Sequence, residues 1–191
     1  MSVAHNIIIE EIIHAETALE NRLLSEPEFR QGLLWGKPRF GHPEGTIALH
    51  INEVLDNIDK LPIQEYERTT LRLVAIAHDT FKNKEDRTIP RNWNMHHSVI
   101  AKNFMKKYSN DPVLLQTIEL HDEPFYCWLH MHRGETELAE QRLQKLLSQT
   151  INFNMLYLFF VCDTLTGDKV LAPLLWLEER LDLESYRGYF L

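Results

Sequence analysis

The sequence predicts an all-α protein, a single helical bundle over residues 1–191. Three observations predict it. Apolar residues recur three and four apart along most of the chain, the spacing of one helix face. Glycine and proline number only 7 and 8 and are concentrated in one stretch. Strand-like alternation is weak, with 125–132 the one ambiguous run.

Taken in order, Ile8, Ile12, Ala15 and Leu19 form the stripe of a first helix that ends near Ser25-Glu26-Pro27. His5 and His14 belong to it and have no expected chemistry. A loop carrying Gly36, Pro38, Gly41, Pro43 and Gly45 follows. Thr46 caps the next helix, whose apolar face is Ile47, Ile51, Val54 and Ile58 and which Pro62 stops. A helix over 64–81 turns Leu71, Val74 and Phe81 inward. A polar loop over 82–94 holds Pro90. Further helices are predicted over 95–108, 111–121, 135–148, 152–165 and 173–183. Asp111-Pro112 reads as an N-cap with proline at the first helical position. The metal-ligand core falls within about 41–169, with an N-terminal helix and loop over 1–40 and a C-terminal helix over 170–191.

Composition removes several function classes. At 44% hydrophobic and 25% charged the chain is ordinary for a globular domain. Two cysteines, Cys127 and Cys162, make no disulfide framework. No basic segment precedes an apolar run at the N-terminus, and the longest apolar stretch, over 155–162, is too short for a membrane span. A cytoplasmic location without membrane association is the expectation. A net charge of −8 argues against duplex nucleic acid as partner.

Ten histidines stand out. His50 shares the face of Ile47 and Val54, and His78 that of Val74 and Phe81. His97 lies with Ile100, Ala101 and Phe104, and His121 with Leu114 and Ile118. Asp163 ends the most apolar helix, where an unpaired carboxylate costs several kcal/mol. One inward histidine is ordinarily a core residue bonded to a carbonyl. A set of them on successive helices, with Asp79 directly after His78, is the way bundles build metal sites.

In that order the residues resemble the HD-domain metal-dependent phosphohydrolases, whose signature is a histidine, a His-Asp dipeptide and a distant aspartate. HPEGTIALHINEV carries His50, LVAIAHDTFK carries His78-Asp79, and LFFVCDTLTGDK carries Asp163. His97 in HHSVIAKNF and His121 in IELHDEP fall where two-metal members add histidines. The resemblance implies that His50, His78, Asp79 and Asp163 hold one divalent ion, with Asp79 bridging to a second held by His97 and His121. The ligand types suit Mn, Fe, Co, Ni or Zn, with Mg also open, and one or two ions. Lys82, where many members carry lysine, is the expected charge partner of the substrate.

Alternatives stay open. His121-Asp122 is a second dipeptide, so His97, His121-Asp122 and Asp163 form a rival one-metal set, disfavoured because it leaves His50 and His78 unexplained. His96 competes with His97, and the apolar stripe favours His97. His130 and His132 read as surface or pocket-rim residues.

FKNKEDRTIPRNW concentrates Lys82, Lys84, Arg87 and Arg91 in an acidic protein, and GKPRFGHPEG adds Lys37, Arg39 and His42. Of these, Lys82, Lys84, Arg87, Arg39 and His42 are the candidate substrate-binding residues, with Asp79 and Lys82 the catalytic pair. Glu85 and Asp86 are equally available as ion partners in a solvated loop. Phe125, Tyr126, Trp93 and Trp128 offer stacking faces, though packing accounts for them as well. No phosphate-binding glycine loop and no Gly-x-Ser-x-Gly elbow occurs.

The expected activity is hydrolysis of a phosphate ester or anhydride of a small molecule, foremost a nucleotide, through attack of metal-bound water. The alternative is a di-iron oxygenase of the HD superfamily using the same ligand set. A binding domain with a dead site is a third class, and the complete ligand set argues against it. The apolar segment LAPLLWLEERL reads as core or as a homodimer face.

Overall fold

The computed structural model describes residues 8–181, and its described part is all-helical. Helices run as α1 (Ile9–Ile12), α2 (Ala18–Ser25), α3 (Pro27–Leu33), α4 (Ile47–Ile58), α5 (Glu65–Ala77), α6 (His97–Met105), α7 (Pro112–Leu120), α8 (Glu123–His132), α9 (Thr136–Gln149), α10 (Phe153–Thr164) and α11 (Ala172–Glu178). Two 3₁₀ turns, Lys82–Lys84 and Trp93–Met95, punctuate the loop after α5. Extended pairing among the described residues is limited to isolated bridges, Gly36 with Thr46 and Arg39 with His42. The ambiguous run at 125–132 is helix α8.

α10 organises the packing. Met155, Leu158, Phe159 and Cys162 join the cluster that α4, α5, α6 and α7 surround. Leu156, Tyr157, Phe160 and Val161 join a second cluster with α8, α9 and α11. A helix apolar all round is stable only when buried on every side, and α10 lies between the two clusters. α4 holds its C-terminal end, because Asn57 Nδ2 donates to the carbonyls of Cys162 and Leu165 at 3.0 Å each. Asp163 is thereby fixed beside α4.

Several expectations are corrected. The first helix is broken into α1 and α2 across residues 13–17. Thr17 Oγ1 accepts from Glu20 N at 3.1 Å and starts α2 afresh, while buried Arg72 donates to the His14 carbonyl at 2.9 Å. Arg72 also pairs with buried Glu20 at 3.0 Å, which ties α2 to α5. Local apolar spacing cannot register these tertiary partners. α3 was not anticipated at all; its proline sits at the first helical position, where no amide hydrogen is needed. α5 ends at Ala77, so His78 is its C-cap and Asp79 stands in the following turn. Thr46 occupies the N-cap of α4, but its side chain makes no capping bond. α11 ends at Glu178, and His5 and residues 182–183 lie outside the described residues.

Gly32 sets how closely α3 approaches that turn. A Cβ there would lie 1.8 Å from the Thr80 carbonyl oxygen. That contact is with backbone and cannot be relieved by a rotamer change. Gly32→Ala should therefore destabilise the protein by about 1–3 kcal/mol or more, read as a lowered thermal midpoint. A variant melting with the wild type would show that α3 can move off the turn freely.

Candidate metal centre

The six expected ligands converge from five helices and the turn after α5. His50 lies on the buried face of α4, and His78 caps α5. His97 opens α6, His121 caps α7, and Asp163 ends α10. Asp79 reaches inward from the turn and is 2% exposed.

Asp79 divides the cluster in two. Its Oδ2 lies 3.4 Å from His78 Nε2 and 3.9 Å from His50 Nε2. Asp163 Oδ1 closes that side, 2.9 Å from His50 Nε2 and 3.7 Å from His78 Nε2. Asp79 Oδ1 faces the other side, 3.3 Å from His97 Nε2 and 3.5 Å from His121 Nε2. Asp122 Oδ2 completes this second group at 3.2 Å from His97 Nε2. Both His-Asp dipeptides thus serve one cluster, and the rival sets of the sequence overlap.

The backbone fixes which nitrogens face inward. His78 Nδ1 lies 2.8 Å from the Ala75 carbonyl, and His121 Nδ1 lies 2.9 Å from that of Ile118. A carbonyl only accepts, so each Nδ1 carries a proton, and in the neutral ring Nε2 is then the nitrogen with the lone pair. His50 Nδ1 faces Thr166 Oγ1 at 3.4 Å and Glu44 Oε1 at 3.5 Å.

Buried atoms without hydrogen-bond partners supply the test of fit. His50 Nε2, His78 Nε2 and Asp79 Oδ1 are buried and make no well-formed hydrogen bond, facing only one another and the neighbouring carboxylate and imidazoles of the cluster. Each unsatisfied group costs about 1–3 kcal/mol, and a cation accepting their lone pairs removes that cost. His97 Nε2 and His121 Nε2 meet at 3.3 Å, a spacing that needs a proton or an ion between them. Imidazole and carboxylate donors without cysteine suit a divalent transition ion. The donor set therefore fits metal in both groups, and several of its three-residue subsets are compact enough to hold one ion.

Electrostatics follow from the same crowding. Burial holds the His50 imidazole down at about 4, so it is neutral at pH 7. Burial works against ionised Asp79 and Asp163, yet His78 and Lys82 on one, and Lys169 and His50 on the other, hold both carboxyls well below the usual range. Burial also opposes a proton on His97, but Asp122, Asp79 and Glu85 outweigh it and raise the group to about 10.

Among the cations, Lys82 reaches the site: its Nζ donates to Asp79 Oδ2. Arg39 and His42 line the same cleft of about 350 Å³. Lys84 and Arg87 are not brought there. Lys84 pairs with Glu28, and exposed Arg87 pairs with Glu85 and lies over Trp35. Loop charges follow the nearest carboxylate, which spacing does not reveal. His96 bonds Ser98 and Tyr126, so His97 is the residue facing Asp79. His130 pairs with Glu135, and His132 stacks on Trp128.

Two residues escaped the sequence reading as parts of the site. Glu85 is 3% exposed, with Oε1 lying 3.5 Å from both His96 Nε2 and His97 Nδ1. Lys169 lies in the cleft with its Nζ 2.9 Å from Asp163 Oδ1. Glu85 sits in a charged run and Lys169 beyond the helix end, where no periodicity marks either.

Comparison with family models, curated proteins and solved structures finds no match to this chain. Among the described residues no helix is long and apolar enough to cross a membrane.

Mn²⁺ should raise the thermal midpoint of the wild type, since an ion bound only by the folded form stabilises it. In Asp163→Ala that increment should vanish, whereas chelator-treated samples should differ far less. Equal loss with and without chelator would remove Asp163 from the ligand set.

The pH dependence has a defined sign. His50, at about 4 when folded and near 6.5 unfolded, makes the metal-free protein lose stability on acidification between those values. His97, raised to about 10, contributes stability that is complete below pH 6.5 and gone once the pH has passed 10. Ion uptake by the second group must displace the His97 proton. Calorimetric titration in buffers of different ionisation enthalpy should show proton release at pH 7. Its absence would show that His97 is not a ligand.

Proposed function

We propose that the protein is a metal-dependent phosphohydrolase acting on a phosphate ester or anhydride of a small molecule, foremost a nucleotide. The observation that carries this reading is Lys82. It is a lysine 16% exposed, set against the carboxylate that joins both ligand groups, at the wall of an open cleft. A cation in that position suits an anionic substrate brought to the metal centre.

His50, His78, Asp79 and Asp163 would hold one ion, and Asp79, His97, His121 and Asp122 a second. A divalent ion there supplies a Lewis acid and lowers the pKa of a coordinated water. The chain's own residues do the rest. Lys82 Nζ donates to a non-bridging phosphate oxygen and balances charge as it develops. Burial opposes the charge on Lys82, but Asp79 and Asp122 outweigh it and keep its pKa above the ordinary lysine value. The ammonium is therefore charged at working pH. Arg39 at the rim offers a two-pronged grip on phosphate oxygens. Phe125 and Phe160 give the cleft an apolar wall against which a base can lie.

The test is a panel of nucleotides with Mn²⁺, Co²⁺, Ni²⁺, Zn²⁺ or Mg²⁺, read as phosphate or monophosphate release. Lys82→Ala should lower turnover about a hundredfold while retaining metal, because it removes one charge donor and no ligand. Oxygen consumption with iron and no phosphate release would overturn the reading in favour of an oxygenase.

A further inference from the structure

Lys169 has no role in the reading above, yet it stands to Asp163 as Lys82 stands to Asp79. Lys82 follows the ligand Asp79 by three residues across the turn after α5 and donates to its Oδ2. Lys169 follows the ligand Asp163 across a short turn and donates to its Oδ1 at 2.9 Å and its carbonyl at 3.0 Å. Both line the same cleft, with 16% and 18% of their side chains exposed.

The Lys169 turn is held in place. Thr166 Oγ1 donates to the Asp163 carbonyl at 2.7 Å, and Gly167 N to Glu53 Oε2 at 2.7 Å. Asp168 Oδ1 accepts from Gly41 N at 2.6 Å, joining this turn to the loop that carries Arg39 and His42. Gly167 has φ +55°, and a Cβ there would lie 2.9 Å from Pro43 Cδ, so the two loops pack closely. Lys169 and Arg39 therefore belong to one hydrogen-bonded rim.

We propose that Lys169 is a substrate-binding cation that clamps the phosphoryl group together with Lys82, and that the pair selects phosphate monoesters over diesters. The proposal rests on the phosphohydrolase reading. Its ground is charge. Asp79 and Asp163 now take Lys82 and Lys169 as counter-ions. One divalent ion in the first group neutralises both carboxylates and leaves two ammonium groups facing the cleft. That double positive charge matches a monoester dianion and overcompensates the single charge of a diester.

The experiment uses the full chain loaded with Mn²⁺. Calorimetry measures Mn²⁺ binding first and inorganic phosphate binding second, for wild type, Lys169→Met and Lys169→Arg. Hydrolysis of p-nitrophenyl phosphate and of bis(p-nitrophenyl) phosphate supplies the selectivity. Lys169→Met should bind Mn²⁺ at least as tightly as wild type, since it loses a competitor for Asp163. Its phosphate Kd should rise about tenfold or more, the worth of one charge-assisted contact, and Lys169→Arg should recover most of the loss. The monoester rate should fall more than the diester rate. Should the methionine variant fail to fold, Lys169→Gln carries the same comparison. Unchanged phosphate affinity in a Mn²⁺-loaded variant overturns the proposal while leaving the metal centre standing. Weakened Mn²⁺ binding also overturns it, because Lys169 would then only hold Asp163 in place. A wild type that takes up no Mn²⁺ removes the metal centre and the proposal together.

Discussion

The carboxylate of Asp79 is 2% exposed, and its two oxygens face two different groups of imidazoles. A buried charge shared in this way needs cations or strong donors on both sides, or it would not remain ionised. The surrounding architecture answers that need. α5 stops one residue before His78, which lets Asp79 turn inward, and Gly32 allows α3 to close over the turn. Were the turn to shift, both groups of imidazoles would lose their common carboxylate.

α10 supplies the second constraint. It is apolar on every face and serves as the shared wall of two clusters, so it cannot rotate to expose any side. Its last turn nevertheless carries Asp163, a carboxylate with no apolar partner of use. Helix termini are where such a residue is tolerable, because chain direction changes and cations from the next turn can reach it. Lys169 does so, and Asn57 from α4 satisfies the terminal carbonyls. The placement of a charge at the end of the greasiest helix is thus a consequence of where solvent and counter-ions have access.

The imidazoles owe their orientation to ordinary helix ends. His78 and His121 each follow the last residue of a helix and turn Nδ1 back to a carbonyl three residues earlier. That single local bond satisfies an otherwise free carbonyl and fixes the tautomer. The nitrogen left over is the one aimed at the cluster. Two helices solve a capping problem and a ligand-orientation problem with the same side chain.

Helical period alone determined the fold class and most helix positions, because apolar faces three and four apart have to be buried in any tertiary arrangement. The same period placed His50, His78, His97 and His121 inward, since a polar residue on a buried face follows the face, and Asp163 stood out as the carboxylate at the end of the most apolar run. It also favoured His97 over His96, which the structure turns toward Ser98 and Tyr126. What period cannot carry is a partner distant in sequence. The break at residues 13–17 depends on Arg72 reaching His14, and the diversion of Lys84 depends on Glu28. Asp122 joining His97, Glu85 burying itself beneath that histidine, and Lys169 closing on Asp163 are likewise decisions of packing. Each is a charge finding its counter-charge in space, and only the folded chain sets those distances.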